Sequence, residues 1–209
     1  MSSRPRAAII LAAGHGKRMK SAMAKPLHAI AGRSMLDWSL ALADAVKADR
    51  KVVVWGAHAP EVKNQAEASG AETAVQDPPQ GTGHAVQQAQ GALSGFEGDV
   101  IVLYADTPLI QPETVERVFD ALKEGAAVSV LGFEPDAPGG YGRLIENAEG
   151  GLEAIVEAKD ASADELKVRL CNSGVLAMPA ELMFELLGEV TNENASGEYY
   201  LTDLVGLAR

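Results

Sequence analysis

Cysteine is almost missing from this chain of 209 residues, in which Cys171 is the single one. This excludes an internal disulfide framework and a cysteine-rich zinc site. No stretch approaches the roughly 18 consecutive apolar residues that a membrane-spanning helix needs. Basic residues are also scarce, with 18 Lys and Arg against 29 Asp and Glu, which gives a net charge of −11. We therefore expect no broad binding to nucleic acid or to anionic membranes, although a local basic pocket for an anionic substrate remains compatible with this balance.

The residues that are present are typical of a globular protein, with 47% hydrophobic and 22% charged residues. The length predicts one large domain over residues 1–209. The apolar run 7–13 follows Arg4 and Arg6, as in a signal peptide. It leads directly into Gly-His-Gly-Lys-Arg, however, and not into a small-residue cleavage site, so it predicts a buried strand and a cytoplasmic protein.

The order of segments predicts an α/β fold. Continuous apolar runs, typical of strands covered on both faces, predict strands at 8–12, 51–55, 71–76, 99–104 and 127–132. Amphipathic patterns between them predict helices at 34–47, 60–69, 83–93 and 112–123. This alternation predicts a Rossmann-like open, mostly parallel sheet that binds ligands at the carboxyl ends of its strands.

The pattern changes after about residue 135. Pro and Gly are frequent over 135–142, and short strand-like pieces follow at 142–147, 151–156 and 167–178. They predict a small antiparallel extension beside the sheet. Further helices are predicted at 179–187 and from about residue 199 to the end.

A glycine-rich loop follows the first predicted strand, with the sequence Leu-Ala-Ala-Gly-His-Gly-Lys-Arg-Met over 11–19. Gly14 and its neighbours would let the backbone approach a ligand and direct N–H groups at phosphate oxygens. Arg18 and Lys25 could add positive charge to the same cradle. The pattern matches neither the Rossmann fingerprint nor a P-loop, and a simple turn is the alternative. The clustering of Lys17, Arg18, Lys20 and Lys25 in so acidic a chain favours a phosphate site.

Two further loops carry polar groups at strand ends. Gln76 offers a donor and an acceptor, as needed to bind a base edge, and Gly81 opens the next helix; alternatively this loop only caps that helix through Thr82. Asp106 follows the strand at 99–104, where a carboxylate could bind Mg²⁺, or could instead cap a turn.

Taken together, the motifs resemble one family. Besides the glycine-rich loop they are Lys-Pro-Leu-His (25–28), Gln-Gly-Thr-Gly-His-Ala (80–85), Leu-Tyr-Ala-Asp-Thr-Pro-Leu (103–109), Gly-Tyr-Gly-Arg (140–143), Ile-Val-Glu-Ala-Lys-Asp (155–160), Cys-Asn-Ser-Gly (171–174) and Gly-Glu-Tyr-Tyr-Leu-Thr-Asp (197–203). They occur in the order seen in the uridyltransferase domain of bacterial N-acetylglucosamine-1-phosphate uridyltransferases. The resemblance covers about residues 7–206.

The resemblance implies a sugar nucleotidyltransferase that converts UTP and N-acetylglucosamine-1-phosphate into UDP-N-acetylglucosamine, a cell-wall precursor, and pyrophosphate. Residues up to about 135 would bind the nucleotide and those after it the sugar. The implied catalytic residues are Arg18, Lys25 and Asp106, with Asp106 as the Mg²⁺ ligand. The implied substrate-binding residues are Leu11, Ala13, Gly14, Gln76, Gly81, Thr82, Tyr104, Gly142, Glu157, Asn172, Tyr200 and Thr202. Without the family, Glu157 could instead be a solvated charge at a strand end, and Asn172 a turn residue.

The chain departs from the family at Lys17, where Thr is usual, and at Ala24, where Leu or Pro is usual. The family's domain continues beyond Arg209 to an Asn that also binds the metal, and then to a β-helix acetyltransferase. The resemblance therefore implies no acetyltransferase activity for these residues, and we expect a monomer with weak, Mg²⁺-demanding catalysis. The alternatives are another nucleotidyltransferase of this fold, such as a molybdopterin cytidylyl- or guanylyltransferase, and a catalytically silent nucleotide-sugar binding domain.

Overall fold

A mixed sheet runs through the centre of the protein in the computed structural model, which describes residues 4–16 and 19–209. Its parallel strands lie in the spatial order β5 (Glu72–Gln76), β4 (Arg50–Gly56), β1 (Arg6–Ala12) and β6 (Asp99–Tyr104). β10 (Cys171–Pro179) runs antiparallel beside β6 and pairs with both β7 (Ser129–Phe133) and β8 (Arg143–Glu146), and β9 (Leu152–Val156) pairs with β8. A separate short hairpin joins β2 (Ala29–Ile30) to β3 (Arg33–Ser34).

Helices cover both faces of this sheet. One face packs on α1 (Met35–Ala45), α2 (Pro60–Ala68) and α4 (Pro112–Lys123), and the other on α3 (Thr82–Gln88), α5 (Ala180–Leu187) and α6 (Asp203–Leu207). Alternate residues of β1 therefore enter two separate cores: Ile10 is buried on the first face and Ile9 on the second. Because both faces are covered, the strand is apolar from Ala7 to Ala12, which explains the continuous run in the sequence.

The strand order places a crevice beside β1. The chain passes from β1 to β4 and β5 on one side, and then returns through α3 to β6 on the other side of β1. In open α/β sheets, ligands bind at the carboxyl ends of the strands where the order reverses. That point lies between the loops that follow β1 and β6.

The predicted fold class is confirmed, including the antiparallel extension, although several boundaries are wrong. α3 ends at Gln88 and not at 93: turns with mostly i→i−3 hydrogen bonds continue the chain, and Leu93 is still buried, so the apolar spacing reflected burial and not a continuous α-helix. β10 begins at Cys171, after a 3₁₀ turn at Glu165–Lys167, and α6 begins at Asp203. The hairpin of β2 and β3 was not predicted.

The segment at 7–13 forms the buried β1, as its flanking residues indicated. Within the described ranges, no helix has the length and apolar character needed to cross a bilayer.

Candidate active site

A cavity of about 550 Å³ opens at the carboxyl ends of β1, β5 and β6. Its wall includes Pro79 at the end nearest β5 and Ala105 at the end nearest β6. Many of the residues that the sequence proposed for the nucleotide line it, namely Leu11, Ala13, Gly14, Lys25, Gln76, Gly81, Thr82, Tyr104 and Asp106. Arg18 and Lys17 lie outside the described residues.

The glycine-rich loop has the shape that a close ligand approach requires. A Cβ at Gly14 would meet no protein atom within 4 Å, so the space beside the backbone is open. Gly16 has a φ of +58°, and a Cβ there would lie 2.7 Å from the Cβ of Lys25. Glycine at position 16 therefore allows the stem of Lys25 to cross the loop, and Lys25 then begins a short 3₁₀ turn.

Lys25 and Asp106 form an ion pair across the crevice. The Nζ of Lys25 donates to Oδ2 of Asp106 at 2.5 Å, and the side chains are 28% and 36% exposed. The loop after β1 supplies the amine, and the residues just after β6 supply the carboxylate. The two strand ends at the reversal point thus present opposite charges to the same cavity.

The divalent metal implied for the family has one carboxylate ligand available in this arrangement. No group of three or more His, Cys, Asp or Glu side chains that could hold a metal occurs in the part of the chain that the structure describes. Mg²⁺ commonly uses only one or two carboxylates and completes its shell with water and substrate phosphates. Asp106 fits such an ion as a single protein ligand, provided that Lys25 moves from its carboxylate to another anion.

Gln76 organises the opposite end of the cavity. It is 5% exposed, its Nε2 donates to the carbonyl oxygen of Gly81 at 2.9 Å, and the same nitrogen lies 3.1 Å from Nδ1 of His84. The amide nitrogen therefore holds the loop, while the Oε1 makes no hydrogen bond to any described residue. Gly81 has a φ of +112°, and a Cβ there would meet the backbone nitrogen of Tyr199 at 2.8 Å.

Thr82 joins this loop to the C-terminal segment and does not cap α3. Gly81 is the N-cap residue, and no side chain caps the helix. The Oγ1 of Thr82 accepts a hydrogen bond from the backbone N–H of Leu201 at 3.0 Å. Burial, with the nearby charge of Glu157, raises the pKa of Tyr104, so its hydroxyl stays protonated.

The residues proposed for the sugar form a second group, which does not line this cavity. Gly142, Glu157 and Asn172 fall on one row across β9, β8 and β10, because Arg143 pairs with both Val156 and Cys171 in antiparallel registers. The backbone N–H of Asn172 donates to the carbonyl oxygen of Gly142 at 2.9 Å. A Cβ at Gly142 would lie 3.3 Å from Cγ2 of Ile155 and 3.4 Å from Oε2 of Glu157, so glycine lets these side chains pack closely against the backbone.

The C-terminal segment closes this second group. The hydroxyl of Thr202 donates to Oε1 of Glu157 at 3.2 Å, and the hydroxyl of Tyr200 donates to Oδ2 of Asp160 at 3.3 Å. Burial raises the pKa of Glu157, and its acidic neighbours act in the same direction. Tyr104 lies between the two groups, since it lines the cavity and the nearby charge of Glu157 helps to raise its pKa.

The fold and these loops match a known family. A family model described as the MobA-like NTP transferase domain covers residues 8–166, which include the glycine-rich loop, Gln76 and Asp106. The chain belongs to this family.

Several MobA-like relatives are similar over almost the whole chain. The bifunctional protein GlmU of Maricaulis maris is 65% identical over 207 residues, which cover 99% of this chain and 46% of that protein. The bifunctional proteins GlmU of Hyphomonas neptunium and Caulobacter vibrioides are 55% and 51% identical, and each match covers 98% of this chain and 45% of the relative. The chain spans a little under half the length of these relatives.

The solved structures confirm the fold at a greater distance. The structure of UDP-glucose pyrophosphorylase complexed with UDP-glucose superimposes with a TM-score of 0.77 at 17% sequence identity. The match covers 97% of this chain and 86% of the other. At this identity the likeness establishes a shared nucleotidyltransferase fold only.

Two residues of the MobA-like site were missed by the sequence reasoning. His15 lines the cavity, and its ring stacks on His58 with centroids 3.9 Å apart at an interplanar angle of 26°. Partial burial, with neighbouring His15, lowers the pKa of His58. The sequence shows His15 as the imidazole inside the Gly-His-Gly turn, but no local pattern indicates that it stacks on His58, which lies just after β4. Glu198 also lines the cavity.

Proposed function

We propose that this chain transfers a uridylyl group from UTP to N-acetylglucosamine-1-phosphate, giving UDP-N-acetylglucosamine and pyrophosphate. One observation carries the proposal: Lys25, Asp106 and Gln76 line a single cavity at the strand-order reversal of an NTP transferase fold. The ordered motifs of the sequence and the relatives named bifunctional protein GlmU support UTP and N-acetylglucosamine-1-phosphate as the specific substrates. The product would serve cell-wall precursor synthesis.

In this proposal the base binds at the end of the cavity next to β5. The Oε1 of Gln76 is left to accept the imide N–H of uracil, because its amide nitrogen holds the loop at Gly81. Backbone groups at Ala13, Gly14 and Gly81 would meet the remaining polar atoms of the ring and the ribose, together with Leu11. A cytosine presents an acceptor where uracil presents the imide N–H, so the same oxygen would repel it.

The triphosphate would lie along the glycine-rich loop toward Asp106. Lys25 would leave the carboxylate and neutralise phosphate oxygens, and Arg18 is assigned to the same task from the sequence alone. Asp106 would hold Mg²⁺, which supplies Lewis-acid neutralisation of phosphate charge when bound. No activated side-chain nucleophile is needed, since a phosphate monoester oxygen is itself the nucleophile.

The sugar phosphate would bind on the row of Gly142, Glu157 and Asn172. Gly142 has no side chain that would stand between Glu157 and a bound sugar, and the carboxylate of Glu157 suits sugar hydroxyls. The Oδ1 of Asn172 accepts the backbone N–H of Gly174 at 2.9 Å, which leaves its NH₂ for a carbonyl such as that of an N-acetyl group. Tyr200 and Thr202 complete this side, and Tyr104 joins it to the nucleotide side. In this arrangement the chain's own residues would bring the acceptor phosphate oxygen to the α-phosphorus of UTP.

The test is a pyrophosphate-release assay over the four nucleoside triphosphates and over the 1-phosphates of N-acetylglucosamine, glucosamine and glucose. We expect turnover with UTP and N-acetylglucosamine-1-phosphate, and a variant Asp106→Asn that binds sugar phosphate but turns over far more slowly. A preference for CTP or GTP would instead indicate a cytidylyl- or guanylyltransferase. Binding of UTP and the sugar phosphate without turnover at any Mg²⁺ concentration would leave only a binding domain.

A further inference from the structure

Arg143 is buried in β8 without a counter-charge. It is 3% exposed, and it makes no ion pair with a carboxylate of any described residue. Its Nε is buried and lacks a hydrogen-bond partner within the same ranges. Burying a guanidinium in this way destabilises a fold, and an apolar side chain at the same place would avoid the loss. Such a group calls for a functional reason.

The rest of the guanidinium binds one turn. One Nη donates to the carbonyl oxygen of Tyr141, and the other donates to the carbonyl oxygen of Gly139 at 3.2 Å. Both carbonyls belong to the turn that leads into Gly142, and Gly139 there has a φ of +49°. The ring of Tyr141 packs edge-on against Phe133, with centroids 4.9 Å apart at 86°. Arg143 therefore fixes the backbone that delivers Gly142 to the sheet.

The guanidinium acts from the side of the sheet opposite the proposed sugar row. Successive residues of a strand point to opposite faces, so Arg143 and Cys171 share one face while Gly142 and Asn172 share the other. The carbonyl oxygen of Gly142 accepts the backbone N–H of Asn172 on the neighbouring strand. The residues before Gly142 are held by the hydrogen bonds from Arg143 to the turn. Arg143 can thus fix the position of the Gly142 backbone beside the proposed sugar site without contacting the sugar itself.

We propose that Arg143 is a positioning residue for the sugar-phosphate side of the site, which holds the turn at 139–141 so that Gly142 keeps its place beside Glu157. The proposal rests on the proposed function. Its distinguishing consequence is selectivity. Loss of the two hydrogen bonds from Arg143 to the turn should weaken binding of the sugar phosphate but not of UTP, because the nucleotide cavity lies at the ends of other strands.

The test is steady-state kinetics of Arg143→Lys and Arg143→Gln, with each substrate varied while the other is saturating. We expect the KM for N-acetylglucosamine-1-phosphate to rise about tenfold, the size of one lost charge-assisted hydrogen bond, while the KM for UTP stays within about twofold. Arg169→Lys is the matched control: Arg169 is exposed and donates to the carbonyl oxygen of Pro135 at 3.0 Å, so both KM values should stay unchanged.

A second variant covers the case in which the buried substitutions prevent folding. Gly139→Val strains the same turn through its φ of +49°, yet a Cβ there has only the carbonyl oxygen of Ala137 nearby, at 3.8 Å. It should reproduce the selective rise in the sugar-phosphate KM. Equal rises in both KM values, or none in the folded variants, would overturn the role of Arg143.

Calorimetric binding of N-acetylglucosamine-1-phosphate separates this failure from failure of the proposed function. A wild-type chain that neither binds nor turns over any sugar phosphate refutes the proposed function and the positioning role with it. If the wild-type chain and Arg143→Gln bind N-acetylglucosamine-1-phosphate with equal affinity, only the positioning role is refuted.

Discussion

Replacing Lys25 with methionine separates the stabilising and catalytic roles of the ion pair with Asp106. Methionine keeps the apolar stem that crosses Gly16 and removes the amine. Among the described residues, this deletes one hydrogen bond of the free protein, the 2.5 Å bond to the carboxylate. In the proposed reaction it deletes a positive charge from the path of the triphosphate.

The two losses differ in size. Because the side chains are 28% and 36% exposed, the pair should contribute only about 0.2–1 kcal/mol to the free energy of unfolding. For a chain of this length that corresponds to a fall in Tm of at most about 4 °C. A preorganised group that stabilises developing charge is worth about 10²–10³ in rate, or roughly 3–4 kcal/mol. Lys25→Met should therefore lower kcat/KM by about 10²–10³ with little change in Tm.

Thermal unfolding and pyrophosphate release, measured on the same samples, test this expectation. Lys123→Met is the matched control, because Lys123 pairs with Asp120 at 2.6 Å on the exposed face of α4, away from the cavity. It should show a similar change in Tm and unchanged kinetics. A Lys25→Met chain with near-normal kcat/KM, or one that loses Tm far beyond the control, would refute the reasoning.

Three further expectations concern single side chains. Gln76→Ala should reduce the preference for UTP over CTP at least about tenfold in competitive binding, because the side-chain oxygen proposed to accept the imide N–H of uracil is lost. Burial raises the pKa of Glu157, so its ionisation destabilises the fold: stability falls as pH rises from the ordinary value of 4.5 through the raised one. Glu157→Gln should therefore have a higher Tm at pH 7 and none of this advantage near pH 4; an advantage that persists in acid would contradict the assignment. Gly174 has a φ of +92°, and a Cβ there would lie 2.7 Å from Cε2 of Tyr104, so Gly174→Ala should lower the free energy of unfolding in urea by about 1–3 kcal/mol, with Gly91→Ala, where a Cβ meets nothing, as control.

The sequence was sufficient for features whose cause is local. A strand covered on both faces is apolar along most of its length, so β1 and β6 could be predicted from the continuous apolar runs at 7–12 and 100–103. The alternation of strands and helices then implied the sheet, and the carboxyl ends of its strands implied where ligands bind. Gln76 and Asp106 could be proposed because each carries a polar group at or just after the carboxyl end of a predicted strand.

Sequence spacing gave the wrong structure where a residue is buried or hydrogen-bonded through tertiary contacts and not through a regular helix. Leu93 continues the apolar period of α3 and is buried, yet the backbone there has already turned. Thr82 has the side chain of a helix cap, but its hydroxyl accepts a bond from Leu201, which is more than a hundred residues away. Local chemistry permits either arrangement, and tertiary packing selects one.

Only the tertiary structure decided which distant residues meet. Gly142, Glu157 and Asn172 share a row because two antiparallel registers coincide at Arg143, and a shift of one residue in either would have turned one of them to the opposite face. The pairing of Lys25 with Asp106 follows in the same way from the strand order, which sets the ends of β1 and β6 side by side. Residue types and local periodicity carry no information about register or strand order, because these depend on the packing of the whole sheet.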